Sequence, residues 1–353
     1  MTMRFSDSFT FGEKVFFIAD IGSNHDGSLE RAIKLVHLAA EAGADAVKLQ
    51  HFKANTILSK EAFDQLPTKA HQTKWKKSVY KTYEDASTPT SWTKQIAKAC
   101  QEAKVLFSTS PYSIELSNEL EEYVDFFKIG SGDISWLDLI RHVSNKPKPI
   151  VIATGASSLE EVKDAYYAAC ENNPEVSLLQ CNTNYSGEYS NLHYTNLKVI
   201  STYKELFPKA KIGLSDHTED ELSVIGAVAL GATIIEKHFT DDNNREGPDH
   251  SFAINPQKWK LMVERTRDLE KALGDGNKKI EFNEIDSSIV QKRSLYAIRE
   301  IQEGSILKIS DFHALRPCQK NSISPRSFEG IKSPKSNKTL KKGENLKWED
   351  LTN

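Results

Sequence analysis

Eight short apolar runs recur between Val15 and Ile235, separated by stretches of helical period, and they leave few folds open. The runs are Val15 to Ile21, Ala46 to Leu49, Val105 to Phe107, Phe126 to Ile129, Ile150 to Ile152, Val176 to Leu179, Lys211 to Leu214 and Ile234 to Ile235. The intervening segments carry helix signals. Ser28-Leu-Glu-Arg precedes an apolar stripe at Ile33, Val36, His37 and Ala40 that stops at Gly43, and Ser157-Ser-Leu-Glu-Glu opens another. Strands alternating with helices give a parallel α/β sheet. Eight repeats of the unit is the count of a closed (β/α)8 TIM barrel, with a doubly wound open sheet as the rival.

What discriminates between the two is where the polar residues fall, because barrel chemistry sits at the C-terminal ends of the strands. Nearly every run here leads into polar residues: Asp20, Lys48 and Gln50, Ser108 to Ser110, Lys128, Thr154, Gln180 to Thr183, Ser215 to His217, and Glu236 to His238. Any one of these is readily a loop start. Lys and His repeated at such positions point instead to a shared cavity.

The chain has 353 residues, 27% charged and 39% apolar, with 46 Lys plus Arg against 49 Asp plus Glu. That balance excludes a disordered or collagen-like polymer. The longest apolar runs, such as Val224 to Leu230, fall far short of the roughly 20 residues that cross a bilayer, so no membrane span is expected. Cysteines at 100, 170, 181 and 318 share no CxxC spacing, and with no basic-then-apolar leader the chain reads as reduced and cytoplasmic.

After Leu273 the sequence becomes Gly-rich and charged. The expected organisation is a barrel over 1–280, a linker over 281–291 and a small strand-rich module over 292–353. Residues 291–353 hold 13 Lys plus Arg against 7 Asp plus Glu, a surplus of +6, which leaves −9 for the first 290. The surplus is modest and aromatics are not interleaved with it, so nucleic acid is not the expected partner.

His217 and His238 end consecutive strands and would face one mouth, where two neutral imidazoles bind a divalent metal and leave positions open for water or substrate. Lys48 and Lys128 end two further strands, and a buried ammonium needs an anion, whether a phosphate, a carboxylate or an internal partner such as Asp20 or Glu236. A Schiff base on either Lys is a further option. Hydroxyls at Ser110, Ser131, Thr154, Thr183 and Ser215 add neutral donors, and Gly130-Ser-Gly132 offers a tight backbone turn beside an anion. Gly247-Pro-Asp-His250 lies in a long loop after the eighth strand, placed to fold over the mouth as a lid or to form a surface turn.

Six strings occur in order: Ile18-Ala-Asp-Ile-Gly-Ser-Asn-His25, Ala44-Asp-Ala-Val-Lys-Leu-Gln50, Phe127-Lys-Ile-Gly-Ser-Gly132, Gly213-Leu-Ser-Asp-His-Thr218, Ile235-Glu-Lys-His-Phe-Thr240 and Gly247-Pro-Asp-His250. Together they resemble the sialic acid (N-acetylneuraminate) synthase family over almost the whole chain. Arg293-Ser-Leu, Glu303-Gly, Leu315-Arg-Pro317 and Lys342-Gly resemble the antifreeze-like (SAF) module that the family places after its barrel.

The resemblance implies a metal-dependent condensation of phosphoenolpyruvate with an N-acylated mannosamine-type sugar, giving a nonulosonic acid and phosphate. It implies that His217 and His238 hold Mn2+ or Mg2+, that Glu236 and Lys128 join them in catalysis, and that Lys48, Ser110, Lys128, Ser131, Thr183 and Ser215 bind phosphoenolpyruvate. Asp20, Gln50, Tyr112, Tyr185 and Asp249 match sugar-contacting positions. Arg316, reaching across a domain-swapped homodimer, matches the residue at the N-acyl group.

Some positions depart from the family. Asp20 stands where Glu is frequent, which retracts the carboxylate by about 1.5 Å, Ala153 replaces a hydroxyl, and Gln180-Cys-Asn-Thr replaces a His-Cys-Thr start. Ala86-Ser-Thr-Pro-Thr-Ser-Trp92 is similar to an element of the pseudaminic acid branch, whereas Gly130-Ser-Gly-Asp133 and Gly247-Pro-Asp-His250 are closer to the sialic and legionaminic branches. The alternatives to an N-acetylmannosamine substrate are a 2,4-diacetamido-2,4,6-trideoxyhexose, a Schiff-base pyruvate lyase, and a non-catalytic carbohydrate-binding barrel.

Overall fold

The eight apolar runs form eight parallel strands: β1 (Phe16–Gly22), β2 (Ala46–His51), β3 (Leu106–Pro111), β4 (Phe126–Ile129), β5 (Ile150–Ala153), β6 (Val176–Cys181), β7 (Lys211–Asp216) and β8 (Ile234–His238). They are hydrogen-bonded in sequence order, and β8 closes back on β1. The fold is thus the (β/α)8 barrel, and the open-sheet alternative is excluded. This computed structural model describes residues 10–66, 72 and 75–352. The chain divides into two compact units between Gly274 and Asp275.

Alternation along the strands sorts residues into two cores. Outward-facing Phe17, Val47, Phe107, Phe127, Ile152 and Leu214 are buried under the surrounding helices. Inward-facing Ile18, Ala46, Phe126, Val151, Leu179 and Ile234 fill the barrel's lower end, where Phe11 meets Phe126 edge-on with ring centroids 5.4 Å apart. Gly213 is required in this layer, since a Cβ there would lie 2.2 Å from the carbonyl oxygen of Ile234. With most of the lower half filled by hydrocarbon, the charged residues Asp20, Lys48, Lys128 and Glu236 gather towards the upper end.

Several strands run further than the apolar pattern predicts. β3 extends to Pro111, β6 to Cys181, β7 to Asp216 and β8 to His238, so many residues expected just beyond the strands lie within them. Barrel closure satisfies their backbone groups, and their side chains then follow the strict alternation of the pleat.

Between strands, Ser28 caps the helix Leu29–Glu41 by accepting from the Arg31 N–H, and Ser158 and Glu161 form a reciprocal capping box on Leu159–Cys170. The buried face of the first helix is Ala32, Leu35, Val36 and Ala39. This corrects the expected stripe: Ile33, His37 and Ala40 are only half-buried.

The second unit has its own core of Leu295, Ala297, Ile301, Leu307, Phe312, Ile323, Phe328, Leu340 and Leu346. Its strands are short: β9 (Ser294–Ala297) pairs antiparallel with β10 (Phe312–Leu315), and β11 (Lys335–Ser336) with β12 (Leu351–Thr352). Most of the unit is turns tied by backbone hydrogen bonds. Within 281–291, Phe282–Glu284 forms a 3-10 turn and Ile285–Val290 a short helix. Among the described residues no helix is long and apolar enough to cross a membrane.

Candidate active site

At the C-terminal end of the barrel the strands surround a pocket of about 320 Å³ that opens to solvent. Asp20, Lys48, Gln50 and Ser110 line it from β1 to β3; Lys128, Ser131, Ser215, Glu236 and His238 line it from later strands and their ends. Tyr112, Tyr185 and His217 complete the wall.

Four buried charges alternate in sign across this floor. The Lys48 ammonium lies 2.7 Å from Asp20 Oδ2, and Lys128 lies 3.0 Å from Glu236 Oε1, which is also 4.0 Å from Lys48. Burial alone would raise the Asp20 carboxyl, but Lys48 and His238 overcome it and hold it at about 2. Burial likewise works against the charged Lys48, yet Asp20 and Glu236 keep it above its ordinary value. Asp20 also accepts from Gln50 Nε2 at 3.0 Å and from the Gly22 N–H at 2.9 Å.

Among the described residues, three polar atoms are buried without a partner at this site: Glu236 Oε2, Ser110 Oγ and His238 Nδ1. Buried polar atoms are almost always hydrogen-bonded, so three orphans in one cavity mark where a ligand completes the network. His217 and His238 stand with ring centroids 5.5 Å apart, and Tyr185 and Phe252 meet both rings. His217 Nδ1 lies 2.8 Å from the carbonyl oxygen of Asn182; with Nδ1–H donating there, Nε2 is left as the ligating nitrogen, the arrangement common to metal-binding histidines. The donor set therefore fits a divalent ion held by two imidazoles, although among the described residues no group of three or more His, Cys, Asp or Glu side chains is arranged as a metal cluster. The remaining positions would fall to water or substrate.

The loop after β8 is fastened to the loop after β1. Asp249 Oδ2 accepts from Ser23 N at 3.0 Å and Ser23 Oγ at 2.8 Å, and lies 3.8 Å from His238 Nδ1. Asp26 holds the same loop through His250 Nε2 at 2.8 Å and Arg245 at 2.7 Å.

Comparison with known proteins agrees with this architecture. The NeuB family profile matches residues 35–278. The chain is 34% identical to an N,N'-diacetyllegionaminic acid synthase of Campylobacter jejuni, covering 94% of this chain and 98% of that one. The chain belongs to the NeuB family. A pseudaminic acid synthase of the same species is 33% identical over 98% of both chains. In structure the chain resembles an N-acetylneuraminic acid synthetase from Leptospira borgpetersenii with a TM-score of 0.68 at 27% identity, covering 78% of this chain and 90% of that one. The sialic acid synthase resemblance carried by the six motifs is thereby borne out.

Within this NeuB-family barrel, the residues expected at the site are mostly brought together. Thr183 is not among the pocket-lining residues; its methyl lies where a Cβ on Gly155 would fall. Asp249 reaches the site's edge through Ser23 and His238. Arg316 lies in the second unit, its Nε donating to the Gln291 carbonyl at 2.6 Å. Lys128 is both a pocket residue and an ion-pair partner of Glu236, so two readings of it hold together.

Sequence reasoning gave no role to Ser23, Cys181 or Asp133. Cys181 lines the pocket 3.9 Å from His217 Nδ1; burial favours its thiol form, but His217 brings it below its ordinary value. Asp133, just past β4, is pushed by burial up to about 6, with Lys128 pulling the other way. The signal for Asp133 was available: a carboxylate three residues past the Gly130 turn.

Proposed function

We propose that this chain joins phosphoenolpyruvate to an N-acylated mannosamine-type sugar with addition of water, releasing phosphate and a nonulosonic acid. The observation that carries the reading is the pair Lys48 and Lys128, buried, converging on Glu236, and facing two histidines across one small polar pocket. Two ammonium groups in a closed floor suit a substrate with both phosphate and carboxylate. Ser110, whose Oγ has no partner among the described residues, and Ser131 and Ser215 supply neutral donors to the same anion; Thr183 stands behind them.

His217 and His238 would hold a divalent ion, Mn2+ or Mg2+, which would supply Lewis acidity towards the sugar's carbonyl group. The protein does the rest by placement. Lys48 and Lys128 orient phosphoenolpyruvate so that its C3 faces the aldehyde carbon. The new bond forms between those carbons, water adds at C2, and phosphate leaves by C–O cleavage. Glu236, with Oε2 unpartnered and Oε1 held by Lys128, exchanges the proton with that water or with the new hydroxyl. Gln50, Tyr112, Tyr185 and Asp249 surround the sugar. Asp20 anchors Lys48 at phosphoenolpyruvate and Gln50 at the sugar, and so acts on the sugar through Gln50.

The names of two relatives, a legionaminic and a pseudaminic acid synthase, favour a 2,4-diacetamido-2,4,6-trideoxyhexose as the second reading of the sugar. A Schiff base on Lys48 is disfavoured, since it needs a readily deprotonated amine and Lys48 is held in the opposite direction. The convergence of both lysines and both histidines on one pocket argues against the non-catalytic barrel. We take residues 292–353 to be the antifreeze-like module after a linker at 281–291, the working enzyme to be a cytoplasmic homodimer, and Arg316 to complete the partner's site.

The deciding experiment is phosphate release from phosphoenolpyruvate with N-acetylmannosamine, mannose and the diacetamido-trideoxy sugars, each with Mn2+ and with chelator. Metal-dependent release with one sugar is the expected result. Release by none of them, or release that resists chelator and is trapped by borohydride, rejects the reading.

A further inference from the structure

Each of the two histidines at the mouth is preceded by a residue that turns away from it. Asp216 and Lys237 are register partners on β7 and β8. Because successive strand residues alternate, Ser215, His217, Glu236 and His238 take the pocket, while Asp216 and Lys237 point to the outer face of the sheet. Both outward side chains are 1% exposed.

Their hydrogen bonds bracket His217. Lys237 Nζ donates to Asp216 Oδ2 at 2.5 Å and also to the backbone carbonyl of Thr218. Asp216 in turn accepts from the Thr218 N–H at 3.2 Å and the Thr218 hydroxyl at 2.9 Å. Thr218 Oγ1 also lies 3.3 Å from Ser223 Oγ, on the helix Leu222–Ala229. One ammonium thus holds the residues on both sides of His217, and it belongs to the residue next to His238.

Such a buried ion pair is a weak device for stability, because desolvation offsets most of its attraction and apolar replacements are often no worse. What it supplies is geometry: it ties the end of β7 to the end of β8 just behind two ring-bearing residues that must share one ligand. We propose that Lys237 and Asp216 are positioning residues, a strut that sets the spacing of the His217 and His238 imidazoles for one divalent cation. This rests on the metal reading given above.

The test is Mn2+ binding to the full chain, followed by the electron paramagnetic resonance signal of free Mn2+, beside circular dichroism and denaturant unfolding. The wild type is expected to bind Mn2+ and His217→Ala to lose it. Lys237→Met should weaken Mn2+ binding by about tenfold, the lower end of what losing a ligand's own hydrogen-bond partner costs, since Lys237 acts on the rings through the backbone. Because Lys237→Met alone strands a buried carboxylate, the double variant Lys237→Met with Asp216→Leu carries the decision: it should fold cooperatively yet bind Mn2+ as weakly. Wild-type affinity in that double variant overturns the strut, and so does its failure to fold, which would make the pair a stabilising one. If the wild type itself binds no Mn2+, the metal reading fails and the strut with it, a pattern distinct from both.

Discussion

The Asp20 carboxylate is 2.7 Å from the Lys48 ammonium, and both side chains are at most 3% exposed. Both charges are buried, so removing Asp20 leaves Lys48 with only Glu236, 4.0 Å away, as a counter-charge. Asp20→Asn should lower unfolding free energy by about 3–5 kcal/mol, measured by denaturant titration at pH 7. The pH dependence has a defined sign. Asp20 is depressed from 3.8 to about 2, so its contribution is complete above pH 4 and disappears as pH falls towards 2. The stability gap between wild type and Asp20→Asn should narrow by about 2–3 kcal/mol over that window, at about 1.4 kcal/mol per pH unit; a gap that stays constant rejects the pairing as the source.

Gly22 has a positive φ of 52°, and a Cβ there would lie 2.7 Å from Asp249 Oδ2 and 3.2 Å from His238 Nδ1. Gly22→Ala therefore combines backbone strain of about 1–2 kcal/mol with displacement of Asp249. The expected kinetic result is a sugar KM raised about tenfold or more, in line with loss of roughly 1.4 kcal/mol of binding. Gly27→Ala is the control: its φ is 71° but a Cβ meets nothing within 4 Å. It should lose stability and keep its KM. Equal effects on KM in the two variants would remove Asp249 from the sugar site.

These contacts mark what the linear sequence could and could not reveal. Apolar runs with polar ends were enough to place β1 to β8, because closure of a barrel depends on little more than strand count and alternation. His217 and His238 were legible because buried histidines at consecutive strand ends have few bland explanations. Ser23 was not, since its partner Asp249 lies 226 positions away and nothing in Gly-Ser-Asn-His announces that contact. Lys237 and Asp216 stand inside the motifs beside residues that carry the chemistry, and only the strand register shows that they meet on the opposite face. The first helix's stripe was misplaced by about one residue because helix period fixes a face only to within such an error.

Asp133 runs opposite to Asp20. Burial raises its carboxyl from 3.8 to about 6, with Lys128 in partial opposition. A raised folded value means that the stabilising contribution is complete below pH 4 and is lost as pH rises through 6. Asp133→Asn escapes that loss. Its stability relative to wild type should therefore improve by about 2–3 kcal/mol between pH 4 and pH 7.5, given about 1.4 kcal/mol per pH unit. Denaturant unfolding at the two pH values checks this, and a pH-independent difference would show that Asp133 titrates normally.

The homodimer reading can be tested through both an apolar stripe and a composite site. Phe282 is 90% exposed, and Ile285, Ile289 and Val290 on the adjoining short helix are exposed as well. Burying a side chain of this kind contributes about 1.5–3 kcal/mol, so Phe282→Ser with Ile289→Ser should weaken a dimer built on this stripe at least a hundredfold, read by light scattering across a dilution series. A site shared between chains makes a sharper demand. His217→Ala and Arg316→Ala homodimers should each be impaired, but in a mixed dimer one barrel has its own His217 together with Arg316 of the other protomer. Random exchange then restores about a quarter of wild-type turnover, since half the dimers are mixed and each carries one intact site. If Arg316 acted within its own chain, no mixed dimer would hold an intact site, and mixing the two variants would restore nothing.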